Sequence, residues 1–360
     1  MKYSSRLKIN FSLALFLMPA LLVLSSFKSI SAQQADKHNF SLFESEELLN
    51  VSLKFDITKF LKDKSPEEYL DAELVYHISE TDSLVNSIRL RARGHSRIEI
   101  CNFPPVRLNF KNCDNPPLDI EGISNVKLIS HCAANKTYEE YLLKEYLAYK
   151  LYNVVSETSF KVRLLRINYI DTGKKGYNKQ FYGALIEPLD LLSLRLDAEE
   201  KEDVVIRSAF IYPESLNILC LFQYFIGNED WYLANLHNLK VIDKIDDNSM
   251  LLNVIPYDFD YSGLVNAAYA VPNEKYGLQS IQERIYAGPC RTDEEFKRVT
   301  DLFLSKKDEF YAVINDCEQL SEKTRKRLTK YLDSYFDQYK RDFLLTRMKK
   351  TCARSKQKER

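Results

Sequence analysis

Glycine is scarce in this 360-residue chain, with 9 residues in all, while Tyr and Phe number 23 and 20. Such a composition excludes low-complexity or linker-like character and predicts packed, regular structure. Net charge is also missing. Lys and Arg total 51, and so do Asp and Glu, so no overall field points to nucleic acid or an anionic membrane. No Cys spacing is a CxxC zinc pattern, and His95, His131 and His237 lack metal-ligand spacing. There is no G-x-S-x-G, no Ser/His/Asp arrangement and no internal repeat. Beyond the first residues, no segment has the roughly 20 apolar residues that a membrane helix needs.

What is present reads as an ordinary globular protein, 45% hydrophobic and 28% charged, long enough for one large or two modest domains. Lys2, Arg6 and Lys8 precede a short apolar run, Phe11 to Leu24, and Ala32 offers a small residue at a cut site. This pattern predicts a cleaved signal peptide over 1–32 and an exported mature chain, in the periplasm, on the cell surface or outside the cell. The alternative is an uncleaved N-terminal anchor. Export permits disulfides. Cys101 and Cys113 flank one strand-like run and Cys132 follows the next. Cys290 and Cys317 could close a loop near the C-terminus, and Cys220 reads as a buried thiol. The pairing stays open.

Residues 33–47 form a polar lead-in. From 48 to 190 the pattern is β-rich. "LLNVSLKFDI", "SIRLRARG", "PPVRLNFK" and "NVKLISH" alternate apolar with polar residues, predicting a mostly antiparallel sheet with basic side chains repeatedly on one face. One helix interrupts it, "TYEEYLLKEYLAYKLYNVV", with Thr137 and Glu140 as a capping box. Strands resume in "FKVRLLRINYI" and "FYGALIEPL". From 191 to 350 the reading is mainly helical, interrupted by a hairpin of "LKVID" and "MLLNVIPYDFDYSG", and 351–360 is a basic tail.

The chemistry concentrates in "GNEDWYLANLHN" and "PYDFDYSG". An apolar helix delivers Asp230 into a loop, Asn235 lies five residues on, and a hairpin returns to Asp258 and Asp260. Phosphoryl transfer needs these parts: one carboxylate to orient an acceptor hydroxyl, and side-chain oxygens to hold Mg²⁺ against phosphates. D-x-x-x-x-N is the spacing of the protein-kinase catalytic loop. Against this stands a bland reading, in which the Asp residues cap turns and Trp231 is core.

"RLRARGHSR", "PPVRLNFK", "NVKLISH", "YLLKEYLAYKLYN", "FYGALIEPLDLL", "GNEDWYLANLHN" and "VIPYDFDYSG" occur in the order seen in the spore-coat CotH-like kinase family, which the chain resembles from about Ser87 to Gly263. The Asp230 loop also looks like that of aminoglycoside phosphotransferases. The resemblance implies an α+β, atypical protein-kinase-like fold of two lobes, the first β-rich and the second mostly helical. It further implies ATP with Mg²⁺ or Mn²⁺, and a protein substrate phosphorylated on a hydroxyl. Asp230 matches the catalytic Asp, Asn235 or Asn238 the metal-binding amide, and Asp258 the metal-binding carboxylate, with Asp260 behind it. Two departures stand out. The family's G-N-S is Gly94-His95-Ser96 here, and Pro104-Pro105 replaces a basic residue. Arg107 or Lys127 is then the expected phosphate-facing cation, with Glu145 as its ion-pair partner and Glu187 near the adenine at the lobe junction. Two rival readings remain. One is a pseudokinase or cell-envelope binding protein that keeps the fold without turnover. The other is an envelope protein whose carboxylates bind Ca²⁺ for stability.

Overall fold

The computed structural model describes residues 40–173, 176–202, 206–245, 249–340 and 344–350. The expected signal peptide, the basic tail and Cys352 lie outside the described residues. Among those described, no helix is long and apolar enough to cross a membrane.

The protein is a mixed α+β structure. Its first half contains β1 (Leu49–Phe55), α1 (Ile57–Asp63), β2 (Leu70–His77), β3 (Ser83–Ala92), α2 (Ser96–Ile100), β4 (Val106–Asn109), β5 (Asn125–Ile129), α3 (Lys136–Val155), β6 (Val162–Asp171) and β7 (Asn178–Ile186). The strands close into a seven-stranded barrel in the order β1-β2-β3-β4-β5-β7-β6. Neighbours are antiparallel except at the seam, where β1 runs parallel to β6 with Leu49 opposite Leu165. A sheet with period-2 patterning was legible; closure was not, because the two seam strands are more than a hundred residues apart.

Alternation explains the barrel's two faces. Leu84, Ile88, Leu90 and Ala92 of β3, Val106 and Leu108 of β4 and Val126 and Leu128 of β5 point inward and are buried. The residues between them, Arg89, Arg91, Arg107 and Lys127, lie on the outer face, only partly buried. A disulfide joins Cys101, just after α2, to Cys132, just after β5. Cys113, Cys220, Cys290 and Cys317 are free thiols, so the expected Cys290–Cys317 bridge is absent, and Cys220 is buried as its apolar neighbours imply.

α3 starts differently from its predicted cap. Asn135, not Thr137, is the N-cap, and its side chain accepts the Tyr138 N–H at 3.1 Å. An Asn in extended conformation is as good a cap as Thr and here sits one turn-entry earlier. The buried side of α3 carries Leu142, Leu143, Tyr146, Leu147 and Tyr149, and also Glu145, which is 2% exposed.

The second half contains α4 (Leu189–Arg195), β8 (Ala198–Glu200), α5 (Pro213–Ile226), β9 (Leu239–Lys244), β10 (Asn253–Pro256), α6 (Asp293–Ser305), α7 (Lys307–Asn315) and α8 (Glu322–Lys340). β8, β9 and β10 make a small antiparallel sheet. α5 is apolar nearly all round, which is how a helix reads when other elements surround it. Its Phe225 meets Phe303, Phe310, Tyr335 and Phe336, the Tyr335 contact being edge-on at 4.9 Å. One apolar cluster fills the barrel; a second gathers around α3, α5 and the C-terminal helices.

Candidate functional site

α5 ends at Gly227, whose φ of 65° lets the chain reverse without a Cβ clash. The loop that follows is held by its own polar side chains. Asn228 accepts the Asp230 N–H through Oδ1 at 3.1 Å. Asn238 donates through Nδ2 to the Asp230 carbonyl at 2.8 Å and to its carboxylate at 3.0 Å. His237 Nε2 lies 2.9 Å from the other carboxylate oxygen. The Asp230 side chain is thus fixed while staying 34% exposed.

Asn238 also connects the loop to the hairpin. Its carbonyl accepts the N–H of Tyr257 at 3.0 Å, the residue before Asp258. Leu236, Asn238 and Asp258 have φ of 52°, 53° and 63°, a left-handed backbone that non-glycine residues adopt at a cost and that gathers at functional sites. The Asp258 N–H donates to the Tyr149 hydroxyl at 2.9 Å, tying the end of β10 to α3. Phe259, fully buried, packs edge-on against Tyr149 at 4.7 Å and lies against Phe222 of α5. That anchor turns Asp258 and Asp260 to the same region.

Asp260 is 5% exposed, and its Oδ2 has no hydrogen-bond partner. Burial, and then the adjacent Asp258 carboxylate, raise its pKa, with Arg97 opposing. Arg97 Nη1 lies 3.7 Å from Asp260 Oδ2 and 3.3 Å from Glu145 Oε2, and its guanidinium sits over the Tyr269 ring at 5.9 Å. Burial raises Glu145 too; Arg97 opposes, while Asp260 and Asp258 add to the rise. Lys127 faces the same region from β5, with its ammonium over the Tyr257 ring at 4.6 Å. Burial pulls it down to about 8; Arg93 pushes the same way and Asp258 opposes.

The expected residues therefore divide. Asp230, Asn238, Asp258, Asp260, Lys127 and Glu145 come together. Asn235 does not: it is exposed, and its Oδ1 caps the His237 N–H at 3.3 Å. The five-residue spacing selected Asn235, but the loop's left-handed turn at Leu236 and Asn238 brings the later amide to Asp230. Glu145 pairs with Arg97, not with Arg107 or Lys127. Arg107 stands opposite Lys127 on β4, further along the sheet. Glu187 is buried and spent on structure, since both its oxygens receive Arg195 at 2.9 Å and one also receives the Lys161 N–H. It closes the link between β7 and α4. Sequence reasoning missed Arg93, Arg97 and Tyr149. The signal for the first two was "RARGHSR", where basic residues persist across Gly94 after the strand pattern stops.

A divalent cation fits the donor set. Asp260 Oδ2 is a buried carboxylate oxygen without a donor, beside a second carboxylate. Asn238 has Nδ2 committed to Asp230, which leaves Oδ1 as the atom it can offer. Among the described residues no group of three or more His, Cys, Asp and Glu could hold a metal. A Mg²⁺ that keeps waters and takes phosphate oxygens needs fewer protein ligands than that.

No family model matches the chain, and no curated protein matches it. Among solved structures it is similar to the Helicobacter pylori proinflammatory kinase CtkA, at 10% identity and a TM-score of 0.36 over 72% of this chain and 94% of that one. Both values are too low for that likeness to bear on residue roles.

Proposed function

We propose that the chain is an exported, metal-dependent phosphotransferase of the CotH-like kinase type. It would pass a phosphoryl group from ATP to a protein hydroxyl between a barrel lobe and a helical lobe. The observation that carries the reading is the meeting of Asp230, Asp258 and Asp260. Asn238 links the first, through its amide, to the strand end bearing the other two, through its carbonyl, and burial, then the charges of Asp260, Asp230 and Asp258, raise the pKa of Tyr261 against Arg97.

In this reading Asp230, held by Asn238 and His237, orients the acceptor hydroxyl and takes its proton. The acceptor oxygen bonds to the terminal phosphorus as the bond to the leaving ADP oxygen breaks. Asp258 and Asp260, with Asn238 Oδ1, would hold Mg²⁺ or Mn²⁺, which supplies positive charge to the phosphate oxygens. Lys127 and Arg93 meet the same phosphates as fixed cations. The Cys101–Cys132 bridge supports export. The test is thermal stabilisation by Mg²⁺–ATP together with transfer of labelled γ-phosphate to protein. Asp258→Ala should abolish both, and an unchanged variant would overturn the metal assignment.

One observation favours a second reading, binding without turnover. Glu145 is occupied by Arg97, so Lys127 lacks the carboxylate that pairs with a kinase lysine. Stabilisation by Mg²⁺–ATP with no labelled product would select it.

A further inference from the structure

The outer face of the barrel beside Asp258 is unusual for a sheet. Arg91 on β3 is directly opposite Arg107 on β4, and Arg107 is directly opposite Lys127 on β5. Three like charges thus lie in one cross-strand row, an arrangement that destabilises a sheet on its own. With strands about 4.8 Å apart, the row spans about 10 Å. Arg93, two residues beyond Arg91, adds its charge next to Lys127, and the Tyr69 ring carries Arg89 and Arg91 at 5.2 and 5.0 Å. Burial, and then repulsion from neighbouring cations, Arg91 for the one and Arg93 for the other, lower the pKa of Arg107 and Lys127.

Counter-charge is thin. Glu67 reaches Arg91 at 3.8 Å, but its side chain is 87% exposed. Among the described residues no ion pair neutralises Arg93, Arg107 or Lys127. The next row on this face, Arg89, Asn109 and Asn125, is polar throughout, with Asn109 bonded to Asn125 at 3.1 Å. From Arg89 to Lys127, β3, β4 and β5 place no aliphatic side chain here. These three strands themselves therefore supply no aliphatic wall for a purine, and the Tyr69 and Tyr257 rings beside them are already covered by Arg89, Arg91 and Lys127. The face is suited to a chain of phosphates, each oxygen of which can take a guanidinium N–H.

We propose that the Arg91–Arg107–Lys127 row is a polyphosphate track that binds several consecutive phosphates, so that affinity comes from phosphate and not from a base. This deepens the phosphotransferase reading and rests on it for the placement of the terminal phosphate at Asp258. A nucleoside triphosphate and an inorganic polyphosphate share this chemistry.

The full chain is titrated calorimetrically with Mg²⁺ and either ATP, inorganic tripolyphosphate or adenosine. Tripolyphosphate is expected to bind within about tenfold of ATP, adenosine not at all, and both anions more weakly as salt rises. Arg107→Gln and Arg91→Gln should each weaken both anions about tenfold, while unchanged unfolding curves exclude misfolding. Tighter binding of ATP than tripolyphosphate by much more than tenfold, or affinity indifferent to both substitutions, overturns the track even if ATP is still turned over. Tripolyphosphate binding without any phosphoryl transfer leaves the track standing and removes the transferase reading. If tripolyphosphate alone supports labelling of protein, the donor is inorganic; if only ATP does, it is the nucleotide.

Discussion

Asn238 holds Asp230 twice, at its carbonyl and at its carboxylate, through one amide nitrogen. Asn238→Ala leaves the carboxylate held by His237 alone and, in the proposed site, takes away the Oδ1 that would reach the cation. Phosphoryl transfer should fall by about 10²–10³, the scale on which a lost transition-state contact acts. Asn235→Ala, which removes only a turn cap, should stay within about threefold. Steady-state rates of the two variants side by side check the assignment; equal losses would refute it.

Arg97 is buried between Glu145 and Asp260. Replacing it with Met leaves two carboxylates without their cation, and removing one partner of a buried pair costs about 3–5 kcal/mol. Denaturant unfolding of Arg97→Met should show a loss of that size. Glu145→Gln added to it should recover part, giving a coupling energy above about 1 kcal/mol. Additive effects would mean that the contact is energetically idle.

His131 tests the barrel's pH dependence. It stacks on Phe181 with ring centroids 3.8 Å apart, and neither ring nitrogen has a hydrogen-bond partner. Burial holds its pKa down to about 3. Once unfolded, the ring takes up a proton near pH 6.5, so the unfolded state binds more protons between those values. Stability therefore falls as pH drops from 6.5 toward 3, by up to about 1.4 kcal/mol per pH unit from this group. His131→Phe should flatten the fall of unfolding free energy with acid by about 2–3 kcal/mol between pH 6.5 and 4. An unchanged slope would show that the ring is already charged.

The Cys101–Cys132 bridge spans 31 residues. Chain entropy alone gives it about 3.5 kcal/mol. It pins the segment carrying Arg97 to the end of the strand carrying Lys127. Cys101→Ser with Cys132→Ser should lower stability by about 2–4 kcal/mol and weaken anion binding. Stability independent of reductant would mean that the pair is not closed.

The sequence carried most of the elements and part of the site. Period-2 patterning located β1 and β3 to β7, and a nearly uniform apolar run located α5, because both signals are local. Asp230 and Asp258 stood out as candidates since each follows closely on a strongly patterned element. Asn235 and Asn238 could not be told apart because spacing counts residues and takes no account of the left-handed turns at Leu236 and Asn238. Arg97 was missed because α2 is only five residues long and its ion pairs reach 48 residues to Glu145 and farther still to Asp260. Glu187 read as a site residue because the family resemblance puts an acid at that strand end, and the resemblance says nothing of Arg195, its partner here.

The parallel seam between β1 and β6 makes the barrel an all-or-none object. In an open sheet, loss of the first strand shortens one side. Here it would unpair β2 and β6 together and expose two free strand edges, each a template for intermolecular pairing. The segment Leu49–Phe55, although it carries none of the candidate chemistry, is therefore one on which solubility depends.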